Sequence, residues 1–201
     1  MNDGRPNLVA LRALPSESVL EGGDDEQLMA LAAGGNKPAF AILVNRYLPR
    51  VTKFCLRFVG QMSTAQELAQ EIFLEVWLRR ERYRSQGKFT VFLFVMARTR
   101  CLNRVRDEAR RDRREQVAQE DVPGAPSQLD VLLEKERQRR VQAALMGLSL
   151  KLREAVLLRF DQGLDYPDVA RILGCSESTT RSRVRLAMLA LRDAIAGGDE
   201  P

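Results

Sequence analysis

The stretch Gly163-Leu164-Asp165-Tyr166-Pro167-Asp168-Val169-Ala170-Arg171-Ile172-Leu173-Gly174 decides the fold of its half of the chain. Asp165 is placed to cap a short helix, and Pro167 is tolerated in the first turn, where a backbone N–H has no intrahelical partner anyway. Gly174 supplies the backbone freedom for a sharp turn, and Ser176 can cap the helix that follows. Val169, Ala170, Leu173 and Val184 are spaced to pack between the two helices, which makes the unit a helix-turn-helix. The second helix of such a unit enters the major groove by its N-terminal part. Ser178, Thr179, Arg181, Ser182 and Arg185 therefore lie where base edges are reached. Arg181 and Arg185 are four apart and share a face, and a guanidinium bonds a guanine edge bidentately. Arg183 points elsewhere and suits a phosphate. Arginines that merely solvate a surface helix are the plain alternative, and the capped turn just upstream argues against it.

Working outward, the apolar period predicts helices throughout. Asp24 or Asp25 caps a short helix bearing Leu28, Met29, Leu31 and Ala32, ended by Gly34-Gly35. A second begins near Lys37-Pro38 with Phe40, Leu43, Val44 and Tyr47 on one face, and the period runs on to Val59. Ser63 or Thr64 caps a helix over 65–80, whose stripe is Leu68, Ala69, Ile72, Phe73, Val76 and Trp77. Another helical stretch spans 88–114. Residues 115–127 are polar, with Pro123, Gly124 and Pro126, as expected of a tether. Beyond it the pattern predicts helices near 127–146, 150–160, 166–173 and 177–196. The expected fold class is all-α: a mobile extension (1–23), a helical domain (24–114), a flexible linker (115–127), a second helical domain with the helix-turn-helix (128–196) and a tail (197–201).

The basic charge is concentrated. Between Arg98 and Arg114 there are eight arginines against three acids, a local excess equal to the +5 of the whole chain. A basic helix directly after Phe89, Phe92 and Phe94 combines phosphate neutralisation with aromatic faces, the two elements that hold single-stranded nucleic acid. The competing reading is that these aromatics fill the core. On the helix over 65–80, Gln66, Glu67, Gln70, Glu71 and Glu75 lie off the apolar stripe, an acidic face suited to a basic partner helix, although exposed Glu and Gln are ordinary.

Composition removes other classes. The 201 residues contain no histidine, so triads and the usual catalytic zinc sites lose their base or ligand. Cys55, Cys101 and Cys175 form no C-x-x-C pair and read as small hydrophobes in a reducing compartment. No run approaches the roughly 18–20 apolar residues of a membrane span, and no signal core opens the chain, so a cytoplasmic protein without membrane insertion is expected. No cofactor and no enzymatic activity are expected. A metal-dependent nuclease built on Asp107, Glu108 and Asp112 is disfavoured, since these acids sit among arginines without convergence.

Together these motifs resemble the extracytoplasmic-function sigma factors of RNA polymerase over about residues 24–196. The run Ala65-Gln66-Glu67-Leu68-Ala69-Gln70-Glu71-Ile72-Phe73-Leu74-Glu75-Val76-Trp77 looks like the family's polymerase-docking helix. By that resemblance Glu67, Leu68, Gln70, Glu71 and Phe73, with Trp77, face the clamp helices of core RNA polymerase. Residues 89–114 are similar to the part that melts and captures the minus-ten element, which assigns Phe92, Arg98, Thr99, Asn103, Arg104 and Arg106 to promoter DNA. Phe92, Thr99 and Asn103 stand where the family usually has Trp, Asn and Asp. Residues 145–191 look like the minus-thirty-five reader, assigning Ser178, Thr179, Arg181, Ser182, Arg183 and Arg185; Ser149, Thr180 and Leu186 replace a common Pro, Val and Arg. The resemblance also implies an anti-sigma factor as partner. The rival reading is a helix-turn-helix regulator that binds operators without polymerase, because the C-terminal block alone is shared with response-regulator output domains.

Overall fold

The structure, a computed structural model, describes residues 22–83, 88–112 and 129–196. The expected linker, the tail and residues 1–21 of the expected extension lie outside the described residues. Those described form eight helices and no strand: α1 (Asp25–Ala33), α2 (Lys37–Val59), α3 (Met62–Leu78), α4 (Phe89–Asp112), α5 (Leu129–Gly147), α6 (Leu150–Val156), α7 (Tyr166–Leu173) and α8 (Glu177–Ala196). A short 3₁₀ turn, Arg80–Arg82, follows α3, and a π turn, Leu157–Asp161, extends α6.

Local chemistry sets the boundaries. Asp24 accepts from the Gln27 N–H at 2.7 Å and Asn36 from the Ala39 N–H at 2.9 Å, so α1 and α2 each start on a side-chain cap. Helix α2 runs 23 residues through Pro49 and stops at Gly60, whose φ of 92° only glycine adopts freely. The expectation that Ser63 or Thr64 caps α3 is corrected. The helix starts a turn earlier at Met62, Gln61 makes no side-chain cap bond, and the Thr64 hydroxyl is spent on the Gln61 side chain at 3.2 Å.

Helices α1–α4 enclose a core of Leu43, Val51, Phe54, Phe58, Ile72, Phe89, Leu93 and Phe94, all fully buried. Edge-to-face contacts of Phe54 with Phe94 and of Tyr47 with Phe89, both 5.4 Å between centroids, lock α2 to α4. Cys55 and Cys101 lie inside this core with their sulfurs 3.6 Å apart. In the second module Leu158, Val169, Ile172, Leu173, Val184 and Ala187 are buried between α6, α7 and α8.

The two modules pack against one another, a feature that independent domains on a tether do not predict. The α2 and α4 side of the seam is cationic. Arg50 donates to the Gln162 carbonyl at 2.9 Å, Lys53 meets Asp161 at 2.8 Å, and Lys88 meets Asp165 and Asp168 at 3.1 and 2.6 Å. In return the buried Arg153 of α6 donates to the Phe58 carbonyl at the end of α2, at 2.8 Å.

Candidate nucleic-acid interface

Asp165 accepts from the Asp168 N–H at 2.9 Å to start α7, and Gly174 at φ 65° ends it, with the Cys175 N–H closing on the Ala170 carbonyl at 3.1 Å. Ser176 Oγ then accepts from the Thr179 N–H at 3.2 Å and starts α8. The turn is braced from within. Thr180 is fully buried, and its hydroxyl, which a valine would lack, donates to the Ser176 carbonyl at 3.0 Å.

This geometry leaves Ser178, Thr179, Arg181, Ser182 and Arg185 exposed at the start of α8, as the sequence pattern predicts. Arg183 is the exception. It is half-buried, its Nη1 lying 3.8 Å from Glu154 Oε1 on α6 of the same module.

Glu154 is the residue that sequence reasoning missed. Its carboxylate is buried on α6 and also receives Nε of Arg98, from the basic helix α4, at 2.7 Å, with a longer bond from Nη2 at 3.3 Å. One carboxylate thus holds two arginines, each assigned to a different promoter element. Arg98 and Glu154 are 56 residues apart, so no local pattern carries this contact.

On α4, Thr99, Asn103 and Arg106 are exposed, and Arg104 is half-buried. The Thr99 hydroxyl donates to the Val95 carbonyl at 2.8 Å, one turn back on its own helix. Arg104 donates to Glu108 at 2.8 Å, and this bond raises its pKa above the ordinary arginine value. Of the three phenylalanines, Phe89 and Phe94 are core; Phe92 is half-buried, edge-on to Tyr83 at 5.2 Å, and keeps part of its ring at the surface. The competing core reading therefore holds for two of the three.

The acidic face of α3 is real but differently composed. Glu67, Gln70 and Glu71 are exposed. Leu68 and Phe73, expected to face a partner, are 4% and 5% exposed and belong to the core, because they lie on the apolar stripe that packs against α2 and α4. Trp77 is half-buried, with Phe40 at 5.1 Å and the Arg80 guanidinium at 4.3 Å from its ring. Glu75 faces α4 rather than solvent, meeting Arg100 and Arg79 at 2.6 Å each. Leu74 and Leu78, 58% and 68% exposed, complete the outer face instead. Their signal was present in the sequence: from Glu67 and Gln70, steps of three and four reach Glu71, Leu74 and Leu78.

Among the described residues no group of acids or cysteines is arranged to hold a metal, and no helix is long and apolar enough to cross a membrane. Asp107 and Glu108 are instead paired with Arg110 and Arg104.

The family model for Sigma-70 region 2 matches residues 43–111, and that for Sigma-70 region 4 matches residues 138–191. Two such modules in this order define a sigma factor of RNA polymerase, and they set aside the lone helix-turn-helix regulator. The ECF RNA polymerase sigma factor SigK of Mycobacterium tuberculosis is 31% identical over 175 residues, covering 86% of this chain and 94% of its own. The RNA polymerase sigma-H factor of Pseudomonas aeruginosa is 29% identical, covering 85% and 93%. Among solved structures, RpoE of Bartonella quintana, in complex with the anti-sigma factor NepR, superposes with a TM-score of 0.66 at 25% identity over 78% of this chain and 96% of its own. CnrH, in complex with the cytosolic domain of CnrY, shares the fold at a TM-score of 0.67 and 24% identity, over 88% and 99%. The chain belongs to the extracytoplasmic-function (ECF) sigma factors of the sigma-70 family.

Proposed function

We propose that this chain acts in the cytoplasm as a dissociable, non-catalytic subunit of RNA polymerase that chooses promoters. The exposed face Glu67, Gln70 and Glu71 of α3 docks on the clamp helices of the core enzyme. Phe92, Arg98, Thr99, Asn103, Arg104 and Arg106 on α4 capture the opened minus-ten strand. Ser178, Thr179, Arg181, Ser182 and Arg185 on α8 read the minus-thirty-five duplex, with Arg183 reaching phosphate once released from Glu154. An anti-sigma factor is the regulatory partner, by analogy with the relatives crystallised in such complexes.

No bond is broken by the chain itself. Unstacking a base costs a few kcal/mol, and stacking contacts return about 1–3 kcal/mol per base, so binding free energy suffices to hold open DNA. Two moderate contacts on one chain reinforce each other through effective concentration. Because Arg98 and Arg183 are both tied to Glu154 when the modules are packed, engagement of the promoter exchanges those ion pairs for phosphates.

The observation that carries this reading is the coexistence, on one chain, of a capped recognition helix with its arginines exposed and an exposed acidic docking face. Promoter-specific run-off transcription with purified core polymerase tests it. Arg181→Ala is expected to lose promoter choice while keeping polymerase association, and Glu71→Ala to weaken that association. Variants that both initiate like the wild type defeat these residue roles.

A further inference from the structure

Arg181 is steered from outside its own helix. It stands exposed in the second turn of α8, and its guanidinium carbon lies 4.1 Å from the centroid of the Tyr166 ring. Tyr166 is the first residue of α7, directly after the Asp165 cap, and its position is fixed by that cap and by its half-burial. The ring is engaged a second time: the Arg159 guanidinium lies 4.9 Å from the same centroid, and Arg159 itself is pinned by donating Nη1 to the Leu164 carbonyl at 2.9 Å. The partner of Arg181 on its own helix is Glu177, one turn back at 3.6 Å, with both side chains about half exposed or more. Such an exposed pair is weak and screened by salt.

A planar guanidinium stacked on a ring uses only its π face and keeps its in-plane N–H donors free. Those donors are the ones a guanine edge requires. Ordering matters twice. A held arginine forfeits less rotamer entropy when it meets the correct base. Facing a wrong base, an unheld arginine can swing to a neighbouring phosphate, whereas a stacked one is left facing the mismatch, so discrimination rises by penalising the wrong partner.

We propose that Tyr166 is a positioning residue for promoter discrimination, its ring holding the Arg181 guanidinium in the direction from which a base edge of the minus-thirty-five duplex is read. This rests on the assignment of Arg181 as a base reader. The contribution belongs to the ring and not to the hydroxyl. Phenylalanine therefore substitutes for it, and a ring-free residue of similar volume does not.

The test is selection, by the full-length chain assembled with core RNA polymerase, from promoter fragments randomised through the minus-thirty-five element, with the bound fraction sequenced. Arg181→Ala identifies the base pair that this side chain reads, by flattening preference there. Tyr166→Leu and Tyr166→Met are expected to lower preference at that same pair by about two- to five-fold, the scale of an exposed cation–π contact, with the other pairs unchanged. Tyr166→Phe keeps the wild-type profile, and adding Tyr166→Leu to Arg181→Ala changes that pair no further. Two ring-free variants guard against a fold defect peculiar to one. Full preference in both, an equal loss at every pair, or a loss with Tyr166→Phe as large as with Tyr166→Leu overturns the proposal. If Arg181→Ala itself alters no pair, the base-reader assignment fails and takes the proposal with it; if only the Tyr166 variants are silent, that assignment stands.

Discussion

Gly174 separates space from conformation. A Cβ built there meets nothing within 4 Å, yet its φ of +65° lies in the left-handed region. Gly174→Ala is therefore expected to cost about 1 kcal/mol, all of it backbone strain, seen as a lower urea midpoint with an unchanged slope. Gly174, Asp165 and Ser176 were legible in the sequence because each acts on neighbours within a few residues. Leu68 and Phe73 were legible too, but in two ways that disagree: their spacing placed them on a buried stripe and the family likeness placed them against a partner. In the structure both are buried, since a helix that packs on α2 and α4 has one apolar side to give. Glu154 carries no local signal, and its role emerges only when α4 and α6 meet.

At the scale of the element, α3 has two faces that fail in different ways. Phe73→Ala is expected to destabilise the first module by about 3–5 kcal/mol, the usual cost of emptying a buried aromatic site, read in a thermal or urea melt. Gln70→Ala should change stability by less than about 0.5 kcal/mol, because an exposed side chain is lost, while weakening association with core polymerase in a direct binding titration. A melt that responds equally to both would mean that the outer face is structural. Helix existence and order followed from the apolar period, α7 begins and ends where its caps predict, and α8 begins at its Ser176 cap. The start of α3 did not follow, since Ser63 and Thr64 are both plausible caps by composition, and the helix forms through them because Thr64 is buried at 4% exposure beside α4. Leu74 and Leu78 were legible only through their spacing from Glu67 and Gln70, because their apolar side chains depart from the buried stripe of their own helix.

For the molecule as a whole, the seam between the modules is a matter of charge, and its pH dependence follows from two shifts of opposite kind. The Asp165 carboxyl is held below the usual carboxylate range, first by the Asp168 N–H and then by Lys88. A carboxyl depressed in the folded state adds stability above its unfolded pKa of about 4, and that stability is lost as pH falls through the folded value. Lys88 is raised above the ordinary lysine value, first by Asp168 and then by Asp165. Its contribution is complete below an unfolded pKa of about 10.4 and is lost as pH rises through the folded value. The groups facing this pair are Asp168, which is buried, and Arg171, 3.4 Å from Asp168. The packed arrangement is thus expected to persist from about pH 4 to 10 and to loosen outside that window, and also in molar salt, because Lys88 is solvent-exposed and screening reaches it. Small-angle scattering reads this as an increase in the radius of gyration. Lys88→Glu places a third carboxylate beside Asp165 and Asp168, and should produce the expanded form at neutral pH and low salt while leaving Arg98 and Arg183 in place. The expanded variant should then bind promoter DNA with core polymerase at least as well as the wild type, since the contacts given up lie between modules and not on the recognition helix. A variant that stays compact at neutral pH shows that Arg98, Arg153 and Asp161 hold the seam without Lys88.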